Sequence, residues 1–170
     1  TLNTQALAVT GLLDGSADLP RGAFIDIERG RATELWDWLP LPTYGVDRIA
    51  AAVVELGRDL WVSHGVSTIA ELPFTRDGVL ALNQLRQSET LPARIRTWFH
   101  VPRLGSIEEV LTLIANLGAG DEWLSIGGVK LFADGAGFDL EGRSISDVKW
   151  TQEELDEVVW KSHEAGLQLW

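Results

Sequence analysis

A lysine inside an apolar run is the first residue here that could do chemistry. The run is Gly127-Gly128-Val129-Lys130-Leu131-Phe132-Ala133-Asp134-Gly135-Ala136-Gly137. Glycines bound it on both sides, so its middle reads as a buried strand and its end as a turn. An unpaired ammonium is costly to bury, and burial favours the neutral amine of a lysine. A neutral amine is a nucleophile. It can attack a carbonyl, or capture carbon dioxide as a carbamate, which is an anionic oxygen ligand for metals. The bland alternative is a lysine on the solvent face of its strand, or one paired with Asp134. The residues alone leave both open.

Three more residues stand where strands should end. A parallel barrel keeps its chemistry at those ends. They are Glu71 after Thr68-Ile69-Ala70, His100 after Trp98-Phe99, and Asp134 itself. His100 suits a substrate oxygen, or is a satisfied strand-end histidine. Glu71 suits a substrate amine, though a solvated carboxylate is the commoner meaning. Asp134 precedes glycine and commonly holds its own loop. His64 and His163 stand near helix C-termini, where the macrodipole favours an imidazole. Ser63-His64 has no evident orienting acid and is not a triad. Gly135-Ala136-Gly137 lacks the third glycine and the nearby basic residue of a phosphate loop. Asp134, Asp139 and Glu141 miss the spacing of a calcium-binding loop.

The elements that must carry these residues alternate. Asn3–Val9 reads as a short helix. Ala23–Ile27 and Ala32–Leu35 read as a hairpin through Arg29-Gly30-Arg31. From Val46 the pattern becomes regular. A helix is predicted over Arg48–Ser63, a strand over Val66–Leu72, a helix capped by Thr75, and a strand over Ile95–Val101. Ser106 and Glu109 form a capping box for a helix over Ile107–Leu117. A third strand is predicted over Val129–Ala133, then a long lid loop from Asp134 to Lys149. Thr151 and Glu154 form a second capping box, and Leu167 opens a fourth strand. Helix–strand units about 30 residues apart give parallel strands with helices outside. The expected fold class is therefore α/β: part of a (β/α)8 TIM-type barrel, about half of one, with a small α+β subdomain at the N-terminus. An open doubly wound sheet is the other arrangement of such units. The expected division is residues 1–42 for the subdomain and 43–170 for the partial barrel.

Bulk composition narrows the function. The 170 residues carry a formal net charge of −11, with 14 Lys and Arg against 25 Asp and Glu. A nucleic-acid partner is not expected, since phosphates need clustered cations. No apolar run is long enough for a membrane span. Cys is absent, which removes disulfides, thiolate metal sites and cysteine nucleophiles. Only Lys130, Lys149 and Lys161 are lysines, so one inside an apolar run stands out. The expected partner is a small-molecule substrate, with a homo-oligomer possible and a cytoplasmic location as the default.

Several segments together resemble the amidohydrolase superfamily. The nearest branch is amidohydrolase family 3, which includes N-substituted formamide deformylases. The segments are Asn3-Thr4-Gln5-Ala6-Leu7 with Gly11, Ser63-His64-Gly65-Val66-Ser67-Thr68, Gly120-Asp121-Glu122-Trp123-Leu124, Val129-Lys130-Leu131-Phe132-Ala133-Asp134-Gly135, and His163-Glu164-Ala165-Gly166. Only the lysine segment is specific by itself; the others count as a set. The resemblance implies a metal-dependent hydrolase of carbon–nitrogen bonds, amide or formamide-like, working through a metal-activated water. It implies one or two divalent ions, zinc first. Lys130 matches the family lysine that ends the fourth barrel strand and bridges two metals when carboxylated. The strands here would then be the second to the fifth. The remaining ligands would lie before Thr1 and after Trp170. The chain is thus expected to be an internal fragment, inactive by itself. Two departures leave the substrate open: Ala70-Glu71 stands where members often have His-Asp, and Ala136–Glu141 replaces a Ser-Leu-Gly-Ser-Arg type loop.

Two other classes survive the sequence. One is a non-catalytic α/β domain binding a small ligand at the same strand ends. The other is a Schiff-base enzyme with Lys130 as nucleophile.

Overall fold

The backbone follows from where each local sequence can hydrogen-bond itself. The computed structural model describes residues 2–19, 23–33, 35, 39, 43–133 and 150–170. In chain order they form α1 (Thr4–Val9), β1 (Phe24–Asp26), β2 (Arg31–Thr33), α2 (Val46–Leu56), β3 (Thr68–Glu71), α3 (Arg76–Gln87), β4 (Arg94–His100), α4 (Ile107–Leu117), β5 (Leu124–Lys130), α5 (Gln152–Glu164) and β6 (Gln168–Leu169). Two compact units result: Thr1–Pro42 with Phe132–Asp156, and Thr43–Leu131 with Glu157–Trp170.

The first unit is small. Asn3 caps α1, its Oδ1 accepting from the Ala6 N–H at 2.9 Å. β1 and β2 pair antiparallel, Ile25 opposite Ala32, so the predicted hairpin forms with shorter strands. Leu7, Leu12 and Leu35 are buried together, with Ile25 and Ala32 packed against them.

The second unit carries the candidate site. Its four strands lie in the order β3-β4-β5-β6, and every pair is parallel. Strand order equals chain order. Crossovers between parallel neighbours are right-handed, so an unreversed order puts each crossover helix on the same face. The packing agrees. Ile95 and Leu124 are buried with Ala50, Ala81, Leu82 and Leu85 from α2 and α3, and Ile69 packs against them. A doubly wound sheet needs a reversal of strand order, and these strands have none. A mixed α/β unit with a four-stranded parallel sheet is therefore what the chain forms.

Caps set the helix starts. Thr75 Oγ1 accepts from the Gly78 N–H at 3.0 Å. Ser106 Oγ accepts from the Glu109 N–H at 3.3 Å, and Glu109 Oε2 accepts from the Ser106 N–H at 2.9 Å. Thr151 and Glu154 repeat the exchange at 3.2 and 2.7 Å. Both predicted capping boxes are present.

One strand differs from expectation. The third parallel strand runs Leu124–Lys130, where Val129–Ala133 was predicted. Gly127 and Gly128 lie inside it, where they had been read as its boundary. Pairing with β4 slips there, from Thr97↔Ile126 to Trp98↔Gly128. That is a β-bulge. Gly128 has φ +145°, a backbone state that favours glycine. A Cβ on Gly127 would come within 2.7 Å of the Trp98 ring. The pair of glycines therefore makes room for an indole within the sheet.

Candidate functional site

Parallel partners in register point to the same face, and neighbours along a strand alternate. Ile95, Thr97 and Phe99 face the helices: Thr97 and Phe99 share a small cleft with Val79, Leu82 and Leu117. Arg96, Trp98 and His100 therefore face the other way. The bulge re-phases β5, so that His100 pairs with Lys130. The Trp170 N–H donates to the Val129 carbonyl at 2.8 Å, and the Leu131 N–H donates to the Trp170 carbonyl at 3.0 Å. These two bonds bracket Lys130 and put Trp170 beside it.

His100, Lys130 and Trp170 thus stand side by side at the C-terminal ends of β4, β5 and β6, on the face opposite the helices. Lys130 Nζ lies 4.9 Å from the centroid of the Trp170 ring, within cation–π range. The Trp98 and Trp170 rings meet edge to face with centroids 5.2 Å apart. Phe74, from the β3–α3 loop, meets His100 edge-on at 6.4 Å. Arg103 donates to the Phe74 carbonyl at 3.0 Å and its guanidinium lies 5.7 Å from the Phe74 ring. His100 is buried, and so is Trp98.

Each residue singled out by sequence has a definite place. Lys130 ends β5 and is half-buried; it is the last residue of its strand, with Val129 fully buried beside it. His100 is its register partner. Glu71 is not with them. It pairs with Thr97 and therefore points to the helix side. There it lines a groove of about 490 Å³ with Arg48, Ile49, Val53, Phe74 and Leu82. Burial raises the Glu71 carboxyl above its ordinary value, against the lowering effect of the Leu72 N–H. Asp134 and the loop over residues 134–149 lie outside the described residues. His64 and Ser63 are exposed. Their side chains touch at 2.9 Å. The Ser63 hydroxyl also bonds the Asp59 carbonyl.

The sequence did not single out Trp98 or Trp170 as site residues. The available signal was the spacing of Trp98 and His100, two apart in one strand, which fixes them to one face. The bulge that aligns Lys130 with His100 had no such signal.

A metal needs several anionic or neutral donors converging on one point. Among the described residues, no three His, Cys, Asp or Glu side chains converge in that way. A lysine amine held against an indole and one imidazole do not hold a divalent ion. The described residues therefore do not make a metal site by themselves. Only as a carbamate would Lys130 offer anionic oxygens. No helix among the described residues is long and apolar enough to cross a membrane.

Comparison with known proteins places the fold. No family model matches the chain, and no curated protein matches it. Two solved structures are similar. One is an uncharacterized metal-dependent hydrolase from Pyrococcus horikoshii OT3, with TM-score 0.57 and 20% identity over 74% of this chain. The other is an uncharacterized metal-dependent hydrolase from Pyrococcus furiosus, with TM-score 0.58 and 17% identity over 98% of this chain. At those identities the likeness is one of fold. The chain spans 27% and 36% of the lengths of these two proteins.

Proposed function

We propose that the second unit is an arc of a (β/α)8 barrel and belongs to a metal-dependent hydrolase of carbon–nitrogen bonds. One observation carries the reading. Lys130 and His100 lie in register on the face opposite α2 and α3, at the C-terminal ends of parallel strands in chain order. That is where a barrel keeps its reacting groups. The fold likeness to two metal-dependent hydrolases supports the class. The match of the Lys130 segment supports the amidohydrolase branch, with an amide or formamide-like small molecule as substrate. Zinc is the metal first expected, and it would supply Lewis acidity toward the substrate carbonyl. In this reading Lys130 serves as a carbamate. His100, buried beside it, is suited to a substrate oxygen.

The test uses the whole gene product loaded with zinc. Lys130→Ala should lose bound metal and at least about a hundredfold in turnover, since losing even a residue that only hydrogen-bonds a metal ligand costs roughly 10–100-fold. Lys130→Arg should fail as well, since a permanent cation would stand where an anion is needed. Full metal content and near-normal turnover in Lys130→Ala would sink the proposal.

A second reading has an observation of its own. Lys130 Nζ lies 4.9 Å from the centroid of the Trp170 ring at the strand ends, and a lysine is the nucleophile that a Schiff-base enzyme uses. Borohydride trapping of substrate on Lys130 would favour that chemistry.

A further inference from the structure

Thr97 sits in the middle of β4 and faces the helices. It is only 2% exposed, and its Oγ1 has no hydrogen-bond partner among the described residues. A buried hydroxyl gives up its hydration, so it needs a replacement bond. Thr97 lines the small cleft that α3 and the end of α4 form over β4 and β5, with Val79, Leu82, Leu117 and Ile126 as apolar walls. Arg86 supplies the second polar side chain of that cleft. The cleft lies beside the slip in the sheet: Thr97 and Ile126 are the last pair before it. A bulge disrupts the ladder locally, which gives the opening a cause inside the fold.

We infer that this cleft is a binding site for one water molecule, held between the Thr97 hydroxyl and the Arg86 guanidinium. Size selects the ligand. The free volume is about 10 Å³, the scale of a single water, whereas pockets for organic ligands start at about 300 Å³. Chemistry agrees. A buried water needs at least two polar partners, and both are present. The hydroxyl can donate and accept. Arg86 donates to the Leu117 carbonyl at 3.4 Å and lies 3.8 Å from Asp121; a guanidinium has five N–H donors, more than these contacts use. The same guanidinium opposes a cation. The water would tie β4 to α3 one residue before the slip that gives Lys130 its phase. The site does not depend on the hydrolase reading.

The test is a crystal structure of the whole gene product at a resolution that shows ordered waters. One water should lie within about 3.2 Å of both Thr97 Oγ1 and an Arg86 nitrogen. In solution, water should give nuclear Overhauser contacts to the Val79 and Leu82 methyl groups. Thr97→Val keeps the side-chain shape and removes the hydroxyl, so the density and the contacts should both vanish. Thr97→Ser should keep them. No water in the wild-type cleft, or one bonded to Thr97 but not to Arg86, overturns the proposal. So does a water that persists in folded Thr97→Val. An anomalous peak there after a bromide soak would mark an anion site instead and overturn it as well.

Discussion

Lys130 and Glu71 show how one residue of register decides a role. Both close a parallel strand, and the sequence offers both for the same site, Lys130 as a carbamate and Glu71 as a substrate contact. Lys130 shares the face of His100, because the bulge restores its phase. Glu71 shares the face of Thr97 and faces the apolar groove against α2 and α3. Its surroundings explain its titration. Burial disfavours the carboxylate, so its folded pKa lies above the unfolded value. In the window between those two values the folded state binds more protons than the unfolded one. Stability therefore falls as pH rises through that window, and the loss is complete above the folded pKa. Below the ordinary glutamate value the group has no effect. Glu71→Gln should accordingly raise stability at neutral pH and leave it unchanged at low pH. Urea midpoints across that pH range would measure it, and a neutral-pH loss in Glu71→Gln would contradict the burial account.

Gly127 and Gly128 act at the level of the strand. Without the slip, Ile126 and Lys130 would share parity and both would face the helices. The extra residue moves Lys130 to the other face, beside His100. Gly127→Ala forces a Cβ into the Trp98 ring and to 3.0 Å from the Thr97 carbonyl. It should cost about 1–3 kcal/mol, as overpacking does, with a changed near-ultraviolet tryptophan signal. An unchanged denaturation midpoint would show that the ring moves aside freely. These glycines also mark where the sequence stopped being legible. Helix starts were readable, because a side-chain cap and its N3 partner are local and both appear in the text of the chain. The order of parallel strands followed from even helix–strand spacing. The bulge was not readable, because its cause is Trp98, nearly thirty residues earlier. Glycine as punctuation and glycine as clearance look the same in one dimension. The candidate site followed suit: Lys130 and His100 stood out by residue type, while Trp170 needed the register of β6.

At the scale of the molecule, the second unit has more apolar surface than an arc of sheet can cover. Leu56, the last residue of α2, and Leu60, in the helical turn that follows it, are 52% and 59% exposed. The groove of about 490 Å³ lies along the same helix. Among the described residues, β3 pairs with a strand on one side only, as does β6. Edges with open backbone groups next to apolar patches favour further association. In the proposed barrel, both edges and the groove would be covered by the strands and helices that complete the ring. The reacting groups would be completed in the same way, since the described residues bring together only Lys130 and His100 at the strand ends. The 170-residue chain expressed by itself should therefore bind the dye ANS strongly and sediment as mixed oligomers. It should show no zinc-dependent amide hydrolysis. The whole gene product should bind little dye and turn the amide over. Zinc-dependent turnover by the 170 residues at a rate near that of the whole product would mean that the site is complete within them. The barrel-arc reading would then have to give way to a self-contained α/β domain.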